Sequence, residues 1–204
     1  MEELVDIGEQ AVFILMAIAS VLAVAVGFER ALVFGSSVRK AESILKEIIS
    51  KLRTHDIVSL KELEQKTPKS IYARFASFSA EHYDKGQESL SELMAGRVVS
   101  EKIELEKRLP ILSTLGNNAP FLGLLGTVLG VIKAFNGLGT LGNSGAEVVM
   151  KSISTALLAT AAGLFVAIPV VMTNNFFSKK LKVISQNLEI ISREFLASVS
   201  SKKV

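Results

Sequence analysis

The chain has 204 residues, a length that soluble domains also reach, so its class must come from composition. Hydrophobic residues make up 49% of it and charged residues 21%, with a formal net charge of +3. Because the apolar residues form long blocks between charged stretches, the sequence predicts an all-α membrane protein with three transmembrane helices and long cytoplasmic helical extensions. The chain has no cysteine, which excludes disulfides, and its two histidines lack a second ligand nearby, so we expect no metal or cofactor.

The first predicted element is a transmembrane helix at residues 11–28, after an acidic segment at residues 1–10. Only Ser20 interrupts its apolar run, and a short extension brings it to bilayer length. A signal peptide would begin with a basic segment, so we expect this helix to be retained.

Residues 29–114 are predicted to form a cytoplasmic helical domain. A first amphipathic helix places one set of aliphatic residues on one face: Ile44, Leu45, Ile48, Ile49 and Leu52. Thr67 and Pro68 end that pattern, and a second, highly charged helix is expected from about Ser70 to Leu109. Pro110 is the expected kink before the membrane.

Two further apolar blocks, residues 115–135 and 153–177, are predicted to form a transmembrane hairpin. The segment between them, residues 136–152, is rich in glycine and is interpreted as a short periplasmic loop. Residues 178–204 are expected to form a cytoplasmic amphipathic helix whose apolar seam is Leu181, Ile184, Leu188, Ile191 and Phe195. That seam requires a partner surface, either in the same chain or in another copy.

Basic residues near the ends of the predicted spans set the orientation. They are Arg30, Arg39, Lys40, Lys107, Arg108, Lys179, Lys180 and Lys182, and all of them flank one side. By the positive-inside rule, the amino terminus and residues 136–152 are periplasmic and the carboxyl terminus is cytoplasmic. The basic residues do not form one patch, so nucleic acid is not expected as a partner.

Small residues form a stripe on each helix of the hairpin. The second span carries Gly116, Pro120, Gly123, Thr127, Gly130 and Ala134, and the third carries Ser152, Ala156, Thr160, Gly163, Ala167, Val170 and Asn174. Such stripes are typical of tightly packed membrane helices, but they would also suit a narrow passage or a groove for another helix. These spans contain no Asp or Glu, and Lys133 lies near the outer end of the second. If the protein moves protons, water or a partner's acid must therefore carry them past Thr127 and Thr160.

Two motifs resemble the ExbB/TolQ family, relatives of the flagellar stator protein MotA. APFLGLLGTVLG at residues 119–130 is similar to the family's second-span motif, and ALLATAAGL at residues 156–164, with AIP at residues 167–169, is similar to its third-span motif. The resemblance implies an inner-membrane homopentameric ring. Its pore would hold the single-span helices of ExbD- or TolR-like partners, whose aspartate faces Thr127 and Thr160, and the complex would act on a TonB- or TolA-like protein.

On that resemblance, two sets of site residues are predicted. The ion pathway is expected to be lined by Thr127, Thr160, Thr155, Gly123, Gly130, Ala156 and Gly163. Helix packing is expected to use Gly116, Pro120, Gly126, Ala134, Ala167 and Pro169. Family members often have a glutamate where this chain has Thr155, so either that glutamate is dispensable for coupling or this protein handles a different cation. A lining of hydroxyl groups suits a hydrated proton path or sodium, and the sequence does not choose between them.

The predicted function is an energy-transducing motor subunit that couples an ion gradient to mechanical work for outer-membrane transport or envelope maintenance. The sequence does not distinguish an ExbB-type from a TolQ-type pathway. The alternative is a structural scaffold that oligomerises through its small-residue faces without conducting ions. An enzyme is not expected, because no Ser-His, Cys-His or carboxylate pair lies at a workable spacing.

Overall fold

The computed structural model describes the backbone of residues 2–141 and 145–201. It describes their side chains too, except those of residues 2, 137–141, 145, 146 and 148. Helices and short turns account for this part of the chain, and it contains no strand. In order, the helices are α1 (Glu2–Ser37), α2 (Ala41–Arg53), α3 (Ile57–Lys61), α4 (Leu63–Lys66), α5 (Ile71–Glu81), α6 (Gln87–Glu106), α7 (Leu109–Leu141) and α8 (Gly145–Ser201), with one 3₁₀ turn at Tyr83–Lys85.

The chain divides into two compact units. Met1–Glu29 and Arg108–Phe176 form one, which we call the membrane unit, and Arg30–Lys107 and Phe177–Val204 form the other, which we call the charged unit. Segments that lie within Glu3–Arg53, Leu109–Asn136 and Val149–Ser201 are long and apolar enough to cross a membrane. The prediction of a helical protein with three such segments is confirmed.

Within the membrane unit, α7 and α8 pack against each other in opposite directions. Gly130 lies against Ala156, and Gly123 lies against Gly163. Gly116 lies against Val170 and Val171 of α8. Because the residue number rises on one helix as it falls on the other, the pair is antiparallel, as the hairpin prediction requires. The membrane unit also contains the first part of α1, up to Glu29. Glu29 forms an ion pair at 2.9 Å with Arg108, the residue directly before α7.

The glycine-rich loop is shorter than predicted. Of residues 136–152, α7 includes those up to Leu141 and α8 includes those from Gly145 onward, while residues 142–144 lie outside the described part of the chain. A single helical glycine costs only about 1 kcal/mol relative to alanine. Helical hydrogen bonds also keep backbone polar groups satisfied near the bilayer, so the glycines just before Leu141 do not end the helix.

The second helix predicted within residues 29–114, expected from Ser70 to Leu109, is interrupted. Gly86 adopts φ 90°, a conformation that favours glycine, and separates the 3₁₀ turn from α6. A second break falls at Lys107 and Arg108, where Arg108 has φ 66°. Pro110 is therefore not a kink: it lies in the first turn of α7, where a missing backbone N–H leaves no helical hydrogen bond unmade.

The core of the charged unit surrounds α5. Tyr72 and Phe75 are fully buried, and Ser70 caps the helix by accepting a hydrogen bond from the backbone N–H of Ala73. The predicted seam of the last helix is buried here: Leu181, Ile184, Leu188, Ile191 and Phe195. Asn187 donates to the Tyr72 hydroxyl at 3.1 Å, and Tyr83 packs edge-on against Phe195. Of the two partners considered for the seam, the structure supplies the one within the same chain.

Candidate ion pathway in the membrane unit

The contact between α7 and α8 is made at backbone distance. A Cβ added to Gly123 would lie 2.8 Å from the carbonyl oxygen of Ala159 and 3.1 Å from Cα of Thr160. A Cβ added to Gly163 would lie 2.8 Å from the carbonyl oxygen of Ala119. Real Cβ atoms do not come this close to backbone, so only glycine permits this approach.

The same close packing continues toward the ends of the α7 segment. A Cβ on Gly130 would lie 2.7 Å from Cβ of Ala156, and one on Gly116 would lie 2.8 Å from a methyl group of Val171. Gly126 is placed between two helices, with Ala159 of α8 at 2.6 Å and Val12 of α1 at 3.3 Å. The small-residue stripe thus fixes how the hairpin helices and α1 fit together.

This packing brings Thr127 and Thr160 together midway along the hairpin. Their hydroxyl oxygens are in direct hydrogen-bond contact. Thr127 Oγ1 lies 3.2 Å from the carbonyl oxygen of Gly123 on its own helix and 3.2 Å from that of Ala156 on α8. Thr160 Oγ1 lies 3.3 Å from the Gly123 carbonyl on α7. Each hydroxyl therefore reaches a carbonyl of the opposite helix.

The Thr127–Thr160 pair is rich in acceptors. Two hydroxyl groups carry two hydrogens but four lone pairs, and both hydrogens are directed at carbonyls or at the other hydroxyl. Most of the lone pairs are left to accept a hydrogen bond. Threonine itself does not titrate in water, so this pair can bind a proton donor or a hydrated cation but cannot supply the proton.

The remaining predicted pathway residues differ from the threonine pair. Those with the smallest side chains lie buried between helices of this chain: Gly123, Gly130, Ala156 and Gly163. Thr155 is half-buried, and its hydroxyl donates to the carbonyl of Lys151 at 3.1 Å, one turn back on its own helix. Close helix packing accounts for the first four without a passage, so a role in lining one stays a prediction for all of them.

The predicted packing residues divide according to burial. Four are buried inside the membrane unit: Gly116, Gly126, Ala134 and Ala167. Pro120 is half-buried, whereas Pro169 lies exposed on α8, where its carbonyl accepts a hydrogen bond from Thr173. A packing role for Pro169 therefore stays a prediction.

Sequence reasoning missed an ion-pair cluster between α1 and α7. Lys133 Nζ lies 2.7 Å from Oδ1 of Asp6 and 3.2 Å from Oε2 of Glu9. The sequence pattern places Lys133 only near the outer end of the second span, and Asp6 and Glu9 only in an acidic segment at residues 1–10. The sequence signal for this cluster is a single lysine, Lys133, in an apolar helix, together with acidic residues at the start of another helix.

A helical membrane protein with a tightly packed hairpin and a hydroxyl pair at its centre is the class that the fold and this site define. The family model of the MotA/TolQ/ExbB proton channel family matches residues 58–190, which include both threonines. The chain belongs to the MotA/TolQ/ExbB proton channel family.

Curated relatives carry names from two branches of that family. Over 169 residues the chain is 30% identical to the biopolymer transport protein ExbB of Neisseria gonorrhoeae, covering 75% of this chain and 77% of that protein. Over 119 residues it is 36% identical to the Tol-Pal system protein TolQ of Pseudomonas aeruginosa, covering 58% of this chain and 52% of TolQ. A Helicobacter pylori ExbB is 43% identical over 89 residues, covering 44% of this chain and 61% of that protein. The matched region thus spans about half the length of the TolQ relative.

Proposed function

We propose that this chain is the ion-conducting subunit of an inner-membrane motor complex. The observation that carries the proposal is the Thr127–Thr160 pair, whose hydroxyls meet inside the hairpin with lone pairs left to accept. The ion is a proton or sodium moving down its gradient. One charge crossing 100 mV releases about 2.3 kcal/mol, so several ions are needed for each mechanical step that breaks a few contacts.

In this proposal the acid on the pathway comes from a partner. Residues 115–135 and 153–177 contain no Asp or Glu, so the two threonines have no carboxylate neighbour within those spans. An ExbD- or TolR-like helix, held in a pore at the centre of a homopentamer, supplies a carboxyl group. When that group is protonated its O–H donates to a threonine oxygen, and when it is ionised a threonine hydroxyl turns and donates to the carboxylate.

The rest of the assembly follows from the names of the relatives and from charge. A TonB- or TolA-like protein receives the mechanical work, in biopolymer transport or in a Tol-Pal system. The basic residues near Arg30, Lys107 and Lys179 lie in the cytoplasm, which leaves the amino terminus and the segment between the two spans of the hairpin in the periplasm. In this reading the chain catalyses no chemical reaction.

Replacing either threonine by valine tests the proposal, because valine keeps the shape and removes the hydroxyl. A hydrogen bond to a charged group contributes about 1.5–3 kcal/mol, so we expect Thr127→Val and Thr160→Val each to lower ion flux by about tenfold or more. The matched control is Thr173→Val, since the Thr173 hydroxyl donates to the Pro169 carbonyl of its own helix at 2.8 Å. Flux is measured in vesicles that contain the whole complex, once with a proton gradient and once with a sodium gradient.

Unchanged flux in both variants, with the complex intact by mass, would overturn the pathway role of the threonine pair. Flux that depends on only one of the two gradients identifies the ion.

A structural scaffold is the second candidate, and the burial of Gly123, Gly130, Ala156 and Gly163 between helices of one chain favours it. Those residues are explained by packing alone. A scaffold predicts that the native complex contains no partner helix inside its ring and that vesicles carrying it stay impermeable. A mass measurement of the complex extracted from its own membrane separates the two functions.

A further inference from the structure

In the Lys133–Asp6–Glu9 cluster one carboxylate is buried, while the side chains of Lys133 and Asp6 are 42% and 47% exposed. Glu9 is only 8% exposed, and Lys133 approaches both acids from the other helix. Asp6 and Glu9 are three residues apart on α1 and so share one face, the face that meets α7. A carboxylate this deeply buried needs a partner charge, because burial without one is costly.

Next to this cluster, the other contacts that the structure describes between α1 and α7 are apolar. Inside a bilayer no hydrophobic force acts between helices, so close packing and polar contacts supply the attraction. Next to the cluster, a Cβ on Gly8 would lie 3.2 Å from the Leu129 side chain. Farther along the pair, Val12 packs on Gly126, which lies two turns from Lys133 on α7. The Lys133 ion pairs are therefore a directional contact between α1 and α7 at this end of the membrane unit, and the Arg108–Glu29 ion pair is a second one at the other end.

Contacts of Gly126 connect α1 to the threonine pair. Gly126 is in contact with Val12 of α1 on one side and with Ala159 of α8 on the other, at 3.3 and 2.6 Å from its added Cβ. Thr127 is the next residue on α7, and Thr160 follows Ala159 on α8. A shift of α1 along α7 would move Val12 against Gly126, at the level where the two hydroxyls meet.

We infer that Lys133 is a positioning residue: its ion pairs with Glu9 and Asp6 lock α1 to α7 and thereby set Thr127 against Thr160. The lock itself does not depend on ion flow, whereas its effect on conduction rests on the proposed function. Without these ion pairs the contact of α1 with α7 near Gly8 and Gly126 loosens, and the hydroxyl contact loosens with it.

Thiol crosslinking tests this inference in the full chain, which has no cysteine of its own. One pair, Gly8→Cys with Leu129→Cys, reports on the α1–α7 contact, and a second, Thr127→Cys with Thr160→Cys, reports on the hydroxyl site. A third pair, Gly27→Cys with Thr173→Cys, is the control, because a Cβ on Gly27 lies 3.5 Å from Thr173 near the other end of the membrane unit. Each pair is crosslinked with a short bifunctional thiol reagent in native membranes.

Lys133→Met is expected to slow crosslinking of the first two pairs by about threefold to about twentyfold, the range that polar contacts between membrane helices contribute. The control pair keeps its rate. Lys133→Arg restores both rates, and so does the exchanged pair Glu9→Lys with Lys133→Glu, which also shows that the variants fold. Lys151→Met, at an exposed lysine of α8, is expected to change nothing.

Three results would overturn the inference. The first is an unchanged rate at Gly8 and Leu129 in Lys133→Met, and the second is a slowed rate there with an unchanged rate at the threonine positions. The third is an exchanged pair as slow as the single variant. If crosslinking behaves as expected but the wild-type complex conducts no ions, the lock stands and the proposed function fails.

Discussion

The two units of this chain bury opposite kinds of residues. In the charged unit the most deeply buried side chains are large, such as Phe34, Tyr72 and Phe75, each at most 1% exposed. In the membrane unit the buried residues are mostly alanine and glycine, while Phe121 and Phe165 are 67% and 81% exposed. Water drives large apolar groups inward in the first unit, whereas lipid removes that force in the second and leaves close packing to select small residues.

Charges follow the same division. Glu101 of the charged unit is nearly buried and is held at 2.7 Å by both Arg74 and Arg97, and Arg97 also lies over the ring of Phe78. These pairs are part of a packed core around α5. In the membrane unit the Lys133 cluster joins two helices that also touch where Leu129 packs on Gly8 and Val12 packs on Gly126. Ion pairs thus support a packed core in the charged unit, whereas in the membrane unit they join one helix to another.

Truncating one phenylalanine in each unit gives the largest expected contrast. Phe75→Ala removes a fully buried ring and is expected to lower the free energy of unfolding by about 3–5 kcal/mol. Phe165→Ala removes an exposed ring and is expected to change it by less than about 0.5 kcal/mol. Detergent-induced unfolding of the solubilised monomer, followed by circular dichroism, measures both.

Equal losses in the two phenylalanine variants would contradict the comparison, because they would mean that Phe165 is as well packed as Phe75. Val58→Ala, at an exposed position of the charged unit, is the control for truncation alone.

Exchanging glycine for alanine is expected to give effects of opposite sign in the two units. In Gly163→Ala the new methyl group meets the carbonyl oxygen of Ala119 at 2.8 Å and Cα of Gly123 at 3.0 Å. Backbone atoms cannot move aside, so we expect a loss of about 1–3 kcal/mol. Gly96 of α6 has nothing within 4 Å, and Gly96→Ala should stabilise the protein by about 0.5–1 kcal/mol through helix propensity.

The same unfolding measurement checks both glycine variants. A stabilising Gly163→Ala would show that the hairpin helices are farther apart than described here.

Patterns of apolar residues predicted most of this fold. Three long apolar blocks gave the membrane helices, and the spacing of Leu181 to Phe195 gave a helix face that is indeed buried. The break at Gly86 escaped notice because one glycine among charged residues carries no periodicity of its own. The helical glycines near Leu141 were misread for the converse reason, since glycine permits a turn without requiring one.

The candidate site was predictable in its residues but not in its geometry. A stripe of small residues has the same spacing whether it lines a passage or packs on a neighbouring helix, so the sequence left both readings open. The structure places Gly123 and Gly163 in packing and brings the hydroxyls of Thr127 and Thr160 together. The Lys133 cluster joins residues 124 positions apart in sequence, and no local pattern encodes such a pair.

The smallest expected effect concerns a helix cap in the charged unit. Asp56 caps α3 by accepting a hydrogen bond from the backbone N–H of Ser59 at 3.1 Å. Hydrogen bonds from Ser59, together with nearby Lys51, hold the pKa of the Asp56 carboxyl below its usual value. A lowered pKa in the folded state means that the ionised group stabilises the protein above the unfolded pKa of about 3.9, and that this contribution is lost as the pH falls through the lower, folded value.

Asparagine caps a helix about as well as aspartate but does not titrate. We therefore expect Asp56→Asn to leave stability near pH 7 almost unchanged and to flatten slightly its decline between about pH 5 and pH 2. Melting temperatures across that range, measured for wild type and variant side by side, check this expectation. A variant whose decline is as steep as that of wild type would show that the cap does not sense protonation.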